Sequence, residues 1–318
     1  MTQGDEVRKR RPTSAQYEVA GSVVAFAVAV FLRYVLTEAG AAQTAAFYVG
    51  IPAVVAVIVV LSAPSRSAVG ITMKVITVLL LMSMMLLGEG FICVIFAAPI
   101  FYLIGGLVAI VVEKITKSGP GDDRMHAVAV PALVLVAVAA SEGIVPATTL
   151  DGATTVSASR TLNADVDDVV AAWERPLDFG GTPLPGVLSW GFPEPLADSG
   201  GSLEVGARRT VTFAGAHHRP LLVSEHHWGE RTTELTFEVV SRTSDSARLA
   251  VVGDTTPISS WLTWNVADIS WSAVDSTHTA VDLELSYTRE LAPAWYFGPL
   301  EDHVTERAAG WLLDSLDR

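Results

Sequence analysis

The residue best suited to recognise a charged group is Arg209, in the C-terminal half of the chain. It occupies an alternate position of a predicted strand together with four apolar residues, namely Val205, Ala207, Val211 and Phe213. Side chains two residues apart on a strand point to the same face, so a regular strand places the guanidinium on the apolar side. A buried arginine needs a partner, which an anionic ligand group would provide. The alternative is a strand end or bulge that turns Arg209 outward.

Four histidines lie close together in the sequence, as the pairs His217-His218 and His226-His227. Imidazole is a common ligand of divalent metals, and the two pairs could meet across a hairpin. Adjacent strand residues point to opposite faces, so only one histidine of each pair, such as His218 or His227, could contribute. Because the spacing matches no known metal motif, we expect a polar hairpin here, and no metal or other cofactor.

A further candidate for acid–base chemistry is His303, on the predicted final helix. It lies near the apolar stripe of that helix, from which it could face the interior. The sequence contains no Gly-x-Ser-x-Gly elbow, Walker loop, Gly-x-Gly-x-x-Gly fingerprint or His-Glu-x-x-His motif. These observations favour ligand binding over catalysis.

Charge and hydropathy divide the chain into two halves. The mean hydropathy of the 318 residues is +0.42, which is high for a soluble protein of this length. Residues 151–318 contain eleven Arg, no Lys and 25 Asp plus Glu, which leaves fourteen negative charges in excess. A domain this acidic lacks the basic face that nucleic acid requires, so we expect no nucleic-acid partner. The single cysteine, Cys93, allows no disulfide within one chain.

The N-terminal half, residues 17–147, consists of apolar stretches long enough to cross a bilayer, which takes about 20 residues. We predict about five spans, over residues 19–36, 45–61, 69–87, 91–112 and 127–145. Glu142 weakens the fifth, so four spans are the alternative. This half is therefore predicted to be a multi-pass transmembrane helical domain in contact with the lipid bilayer.

The distribution of basic residues predicts the orientation. Residues 1–16 contain the run Arg8-Lys9-Arg10-Arg11, and the positive-inside rule places such a segment in the cytoplasm. With five spans the C-terminal domain then lies outside the cytoplasm, and with four it lies inside. We expect an integral protein of the cell (plasma) membrane, with the C-terminal domain extracytoplasmic.

Residues 152–318 have the alternating pattern of an antiparallel sheet with one buried face. A first strand over 154–162 and a short helix over 165–174, for which Asn163 is the expected N-cap, precede several further strands. A helix over 299–316 ends the chain, with an apolar stripe formed by Leu300, Val304, Ala308, Trp311, Leu312 and Leu316. Pro299 suits the first turn of that helix.

This order resembles the helix-grip fold of the START-like superfamily, which includes polyketide cyclase/dehydrase and lipid-transport proteins (SRPBCC). The opening stretch Val156–Val169 is similar to the family's first strand and helix, and Tyr287–Leu300 is similar to its passage into the final helix. The resemblance covers residues 152–317. It implies an α+β domain in which a curved antiparallel sheet wraps a long C-terminal helix around an apolar cavity. Since one fold serves many functions, what it implies about ligands is analogy.

The resemblance implies binding of a lipid, a polyketide or another hydrophobic small molecule at the membrane, for lipid handling or sensing. The candidate cavity residues are Arg209, Val211, Phe213, Phe237, Trp271, Tyr287, His303 and Trp311. Two other functions stay open: a cyclase- or hydrolase-like enzyme acting on an apolar substrate, and an interaction module whose cavity is filled by its own side chains. The sequence does not specify an oligomeric state.

Overall fold

The computed structural model describes residues 12–37, 49–62, 65, 67–87, 91–117, 142, 152–179, 183–214 and 233–316. The chain divides near residue 137 into two compact units. The N-terminal unit is helical, and the C-terminal unit contains the sheet. The two predicted histidine pairs lie outside the described residues, as does the predicted fifth span apart from Glu142.

Four helices make up the described part of the N-terminal unit: α1 (Ser14–Thr37), α2 (Ile51–Leu61), α3 (Ala68–Leu87) and α4 (Phe91–Lys117). By length and composition, α1, α3 and α4 are long and apolar enough to cross a membrane, whereas α2 has 11 described residues. Many of their large apolar side chains point outward, such as Leu79, which is 60% exposed. Exposed apolar side chains on several helices are typical of a surface that contacts lipid.

Two adjacent glycines bring α3 and α4 close together. A Cβ atom at Gly105 would lie 2.3 Å from the Ile76 side chain, and one at Gly106 would lie 2.7 Å from Met73. Small residues of this kind allow helix backbones to approach closely where no hydrophobic effect drives their association. The Thr77 and Tyr102 hydroxyls are hydrogen-bonded at 2.7 Å and add a polar contact between the same two helices.

The described part of the C-terminal unit contains one antiparallel sheet of seven strands: β1 (Ala153–Leu162), β2 (Pro195–Asp198), β3 (Arg208–Phe213), β4 (Thr233–Arg242), β5 (Ser246–Asp254), β6 (Leu262–Ala273) and β7 (Thr279–Arg289). Their order across the sheet is β1-β7-β6-β5-β4-β3-β2. The first strand therefore pairs with the last, and the remaining strands follow as neighbours. The register of β4 shifts against β5, and that of β6 against β7, which indicates bulges that bend the sheet.

Two helices accompany the sheet, the short α5 (Val166–Glu174) and the long α6 (Ala294–Asp314). The α5 helix is capped by Asp165, whose side chain accepts a hydrogen bond from Asp168 N at 2.9 Å. The prediction of Asn163 as the cap was wrong, because the helix begins later and Asp165 has the extended backbone that an N-cap requires. The sheet and the long final helix confirm the predicted helix-grip fold.

The final helix differs from the prediction in its start and in its buried face. It begins at Ala294, so Pro299 lies in its second turn, where it has no N–H to donate to the Trp295 carbonyl. The most buried row recurs at helical spacing and comprises Gly298, Glu301, Thr305, Ala309 and Leu313. Of the predicted apolar stripe, Trp311 and Leu316 are buried, whereas Leu300, Val304, Ala308 and Leu312 are only half-buried. A hydrophobicity pattern misses the true face because that face contains a glycine, a glutamate and a threonine.

The hydrophobic core lies between the sheet, α5 and the C-terminal part of α6. Its residues are fully or nearly fully buried, and they include Val169, Trp173, Val239, Leu249, Ile269, Trp271, Val281, Leu283, Ala309 and Leu313. The alternate residues of β7 all belong to this inward face, as the alternating pattern predicted. Towards the N-terminal part of α6 the inward face of β7 becomes polar, and the candidate site lies there.

Candidate functional site

Four polar residues meet where the end of β7 faces the beginning of α6. Tyr287 and Arg289 are alternate residues of β7, so both point towards the helix. Glu301 and Asp302 come from the second turn of α6. We call Tyr287, Arg289, Glu301 and Asp302 the Tyr287 cluster.

Within the Tyr287 cluster, Asp302 receives most of the hydrogen bonds. The Tyr287 hydroxyl donates to Asp302 Oδ1 at 2.7 Å. Arg289 Nη2 lies 2.6 and 2.7 Å from the two Asp302 oxygens and also donates to Thr154 Oγ1 at 3.1 Å. The charge of Arg289 is thus balanced by Asp302, and charge-assisted hydrogen bonds hold β1, β7 and α6 together.

Glu301 has a different environment. Its side chain is only 5% exposed, and its Oε2 lies 3.5 Å from Arg289 Nε, without the geometry of a hydrogen bond. Among the described residues, neither carboxyl oxygen of Glu301 accepts a hydrogen bond. Burial raises the pKa of Glu301 to about 7, against the opposing effect of Arg289. A carboxyl with this pKa exists in both protonation states near neutral pH.

Aromatic side chains border the Tyr287 cluster. Tyr287 is fully buried, and burial, followed by its hydrogen bond to Asp302, raises its pKa above the usual range, so it remains a donor. Trp264 on β6 packs edge-to-face against Tyr287, with ring centroids 5.7 Å apart. The buried indole nitrogen of Trp264 has no hydrogen-bond partner among the described residues. The site therefore combines apolar rings with three buried polar groups that lack such partners, namely the Glu301 carboxyl, the Trp264 indole nitrogen and Arg289 Nε.

A glycine allows α6 to approach the Tyr287 cluster. A Cβ atom at Gly298 would lie 3.3 Å from Cζ and 3.4 Å from Nε of Arg289. These contacts are tighter than ordinary van der Waals distances, so any side chain here would push the guanidinium aside. Gly298 thus lets the helix lie directly over Arg289.

Arg209 lies on the inward face of β3, opposite Phe237 of β4, and it is buried. Its Nε donates to Asp198 Oδ1 at 2.9 Å, and its Nη2 pairs with Asp198 Oδ2. The guanidinium also donates to the backbone carbonyls of Trp173 and Arg175, at the end of α5. The guanidinium of Arg209 is therefore hydrogen-bonded within the protein. Its role in binding a ligand stays a prediction, and the proposed site does not include it.

The other predicted site residues are dispersed. Phe237 packs against the core and Trp271 lies within it, donating from Nε1 to Ser244 O at 3.2 Å. Trp311 stacks on Phe179 with centroids 5.6 Å apart. The two remaining apolar candidates are half-buried on the inward face of β3, namely Val211 and Phe213.

His303 requires a correction, because it lies on the exposed face of α6. It is two residues from Glu301, which at 3.6 residues per turn places the two on nearly opposite sides of the helix. The expectation that His303 faces the interior followed from the misplaced apolar stripe. His218 and His227 lie outside the described residues, and within the described residues no group of three or more His, Cys, Asp or Glu side chains could hold a metal ion.

Sequence reasoning missed Arg289, Glu301 and Asp302 as site residues. Two signals were available. The alternation of β7 continues from Tyr287 to Arg289, which places the arginine on the inward face. The small residues Gly298, Thr305 and Ala309 recur on one face of the final helix, and Glu301 falls among them. Acidic residues in an early helical turn are usually explained by their interaction with the helix dipole. That explanation gives no reason to expect that one of them is buried.

No protein-family model matches the chain, and no curated protein matches its sequence. In structure it is similar to a START superfamily protein from Mycobacterium smegmatis, at 9% identity and a TM-score of 0.32, over 51% of this chain and 94% of that one. It is also similar to the major latex-like protein 151 of Panax ginseng, at 11% identity and a TM-score of 0.27, over 49% and 97%. A third similar structure is a truncated norcoclaurine synthase from Thalictrum flavum. Its identity is 11% and its TM-score is 0.32, over 53% of this chain and 94% of that one. These similarities cover about half of the chain and carry no information about a ligand.

Proposed function

We propose that the C-terminal unit binds a small apolar molecule with one polar group, beside the Tyr287 cluster, and that the N-terminal helices anchor the chain in a membrane. The buried carboxyl of Glu301, without a hydrogen-bond partner among the described residues, carries this proposal. Burying a polar group without a hydrogen-bond partner destabilises the protein. A ligand that supplies the partner relieves this cost, which favours binding. The half-buried ring of Trp264, which packs against Tyr287, provides an apolar surface for the rest of the ligand.

Ligand occupancy tests the binding proposal. We expect native mass spectrometry of the full-length chain, released from detergent micelles, to show a bound small molecule. Trp264→Ala should weaken ligand affinity at least about fivefold and so lower the occupied fraction, because loss of a ring that contacts a ligand costs roughly 1 kcal/mol or more. Trp190→Ala is the matched control, since Trp190 is 54% exposed in the same unit and should leave occupancy unchanged. Equal occupancy in both variants would assign the molecule to another site, and an empty wild-type chain would refute binding.

The anchoring proposal places the N-terminus in the cytoplasm and the C-terminal unit on the opposite side of the cell membrane. Its support is the three long apolar helices together with the basic residues that precede α1. A membrane-impermeant maleimide applied to intact cells should label Val274→Cys, which replaces a side chain 60% exposed on the C-terminal unit. Ser14→Cys at the start of α1 should react only after permeabilisation. Labelling of Val274→Cys that also needs permeabilisation would place the unit in the cytoplasm, as four spans require.

A further inference from the structure

We propose that the polar group of the ligand is a protonated amine, which forms an ion pair with Glu301. This inference rests on the proposed function and specifies its ligand. The proposed function requires only one polar group on the ligand, which could be neutral, anionic or cationic. The present inference specifies a cation. The reason for choosing a cation is the balance of charge in the Tyr287 cluster.

The Tyr287 cluster contains one positive and two negative side chains. Arg289 forms an ion pair with Asp302, in which Nη2 lies 2.6 and 2.7 Å from the two carboxylate oxygens. Arg289 is also the cation that the described part of the chain brings within ion-pair distance of Glu301, and there the separation is 3.5 Å without a hydrogen bond. The ionised cluster therefore has one negative charge in excess, and that charge belongs to Glu301.

The other groups around Glu301 do not remove this excess. Tyr287 faces it from β7 and stays protonated, Asp302 and the nearby Glu290 are negative, and Thr154 on β1 is neutral. The C-terminal half contains no lysine. A buried carboxylate in such surroundings either takes up a proton or acquires a cation.

An amine fits this site better than an alcohol or an acid. A protonated amine donates hydrogen bonds to the carboxylate oxygens and also neutralises the charge, whereas an alcohol donates one hydrogen bond and leaves the charge. An anionic ligand would add a second repulsive charge. The half-buried ring of Trp264, which packs edge-to-face with Tyr287, lies beside the cluster and further favours a cation.

The ion pair makes binding depend on pH. Only the ionised form of Glu301 pairs with the amine, and burial holds its pKa at about 7 in the ligand-free protein. An alkyl amine, like a lysine side chain, stays protonated until about pH 10. Affinity for the amine should therefore rise about tenfold per pH unit from pH 5 to 7 and level off above 8. Binding near pH 7 should release a fraction of a proton.

The experiment uses 2-phenylethylamine and 2-phenylethanol, two probes of equal size, titrated calorimetrically into the full-length chain in detergent. At pH 8 we expect the amine to bind at least about tenfold more tightly than the alcohol, the usual gain from a hydrogen bond to a charged group. Glu301→Gln should abolish this preference and the pH dependence while retaining the alcohol. Glu306→Gln, on the exposed face of the same helix, should behave like wild type. Titration in buffers of different ionisation enthalpy measures the released proton.

The outcomes separate this inference from the proposed function. Equal affinities for amine and alcohol, or a preference that survives Glu301→Gln, would overturn the amine assignment and leave apolar binding intact. Tighter binding of the alcohol would do the same. Failure of both probes to bind wild type, together with an empty site in native mass spectrometry, would overturn both.

Discussion

Replacing Asp198 with alanine is expected to lower the free energy of unfolding of the C-terminal unit by about 3–5 kcal/mol. Asp198 is fully buried, and it balances the charge of Arg209, which is 10% exposed. It also accepts hydrogen bonds from Leu177 N at 2.8 Å and Gly200 N at 3.1 Å. Asp198→Ala would leave an uncompensated guanidinium and two backbone donors in the interior. The cost is therefore that of an unpaired buried charge, which exceeds the value of the ion pair itself.

Tryptophan fluorescence during urea unfolding of the full-length chain measures this effect selectively. All eight tryptophans lie at or after Trp173, so the signal comes from the C-terminal half. Glu238→Ala is the matched control, because it breaks the ion pair between Glu238 on β4 and Arg208, the neighbour of Arg209 on β3, whose side chains are 30% and 68% exposed. That partly exposed pair should contribute about 0–1 kcal/mol.

A double variant, Asp198→Leu with Arg209→Met, distinguishes a charge effect from a packing effect. Removing both charges leaves no buried ion unpaired, so much of the lost stability should return. A cost below about 1 kcal/mol for Asp198→Ala would be typical of a solvated pair and would contradict the buried network described above.

Glu301→Gln is expected to stabilise the ligand-free protein at pH 8 by up to about 3 kcal/mol, with little effect near pH 4.5. The pKa of Glu301 is raised from its ordinary 4.5 to about 7 by burial. Between these values the folded protein holds a proton that the unfolded chain has lost. Wild-type stability therefore falls as the pH rises through this window, and the loss is complete above about pH 8. Glutamine resembles the protonated side chain and removes this loss.

The measurement is the difference in unfolding free energy between Glu301→Gln and wild type from pH 4.5 to 8, again by tryptophan fluorescence. The difference cancels the titration of all other groups. Glu306→Gln, which alters an exposed carboxyl one turn and a half further along the helix, should show no such pH-dependent difference. A flat difference for Glu301→Gln would mean that the carboxyl is solvated. Addition of 2-phenylethylamine at pH 8 should restore stability to wild type by mass action if the amine pairs with Glu301.

Several features of this protein follow from the sequence alone because they depend on local periodicity. Long uncharged runs predicted the apolar helices, since a helix exposed to lipid must be apolar along its length. The alternation of Val281, Leu283, Leu285 and Tyr287 predicted β7 and its inward face, because side chains of a strand alternate between two surfaces. The order of strands and helices resembles that of the START-like superfamily, and this resemblance predicted the helix-grip fold.

The tertiary structure decided which polar groups meet. Asp198 and the carbonyl of Trp173 lie 11 and 36 residues from Arg209 in sequence, and only the pairing of β2 with β3 and the position of α5 bring them together. Glu301 lies beside Asp302 in an early turn of the final helix, where acidic residues are usually explained by the helix dipole. It became buried because Gly298, Thr305 and Ala309 let that face of the helix lie against the sheet. A pattern of residue types reflects local conformational preference, whereas burial of a charge depends on contacts between distant segments. The residues of the candidate site were therefore determined by the tertiary structure.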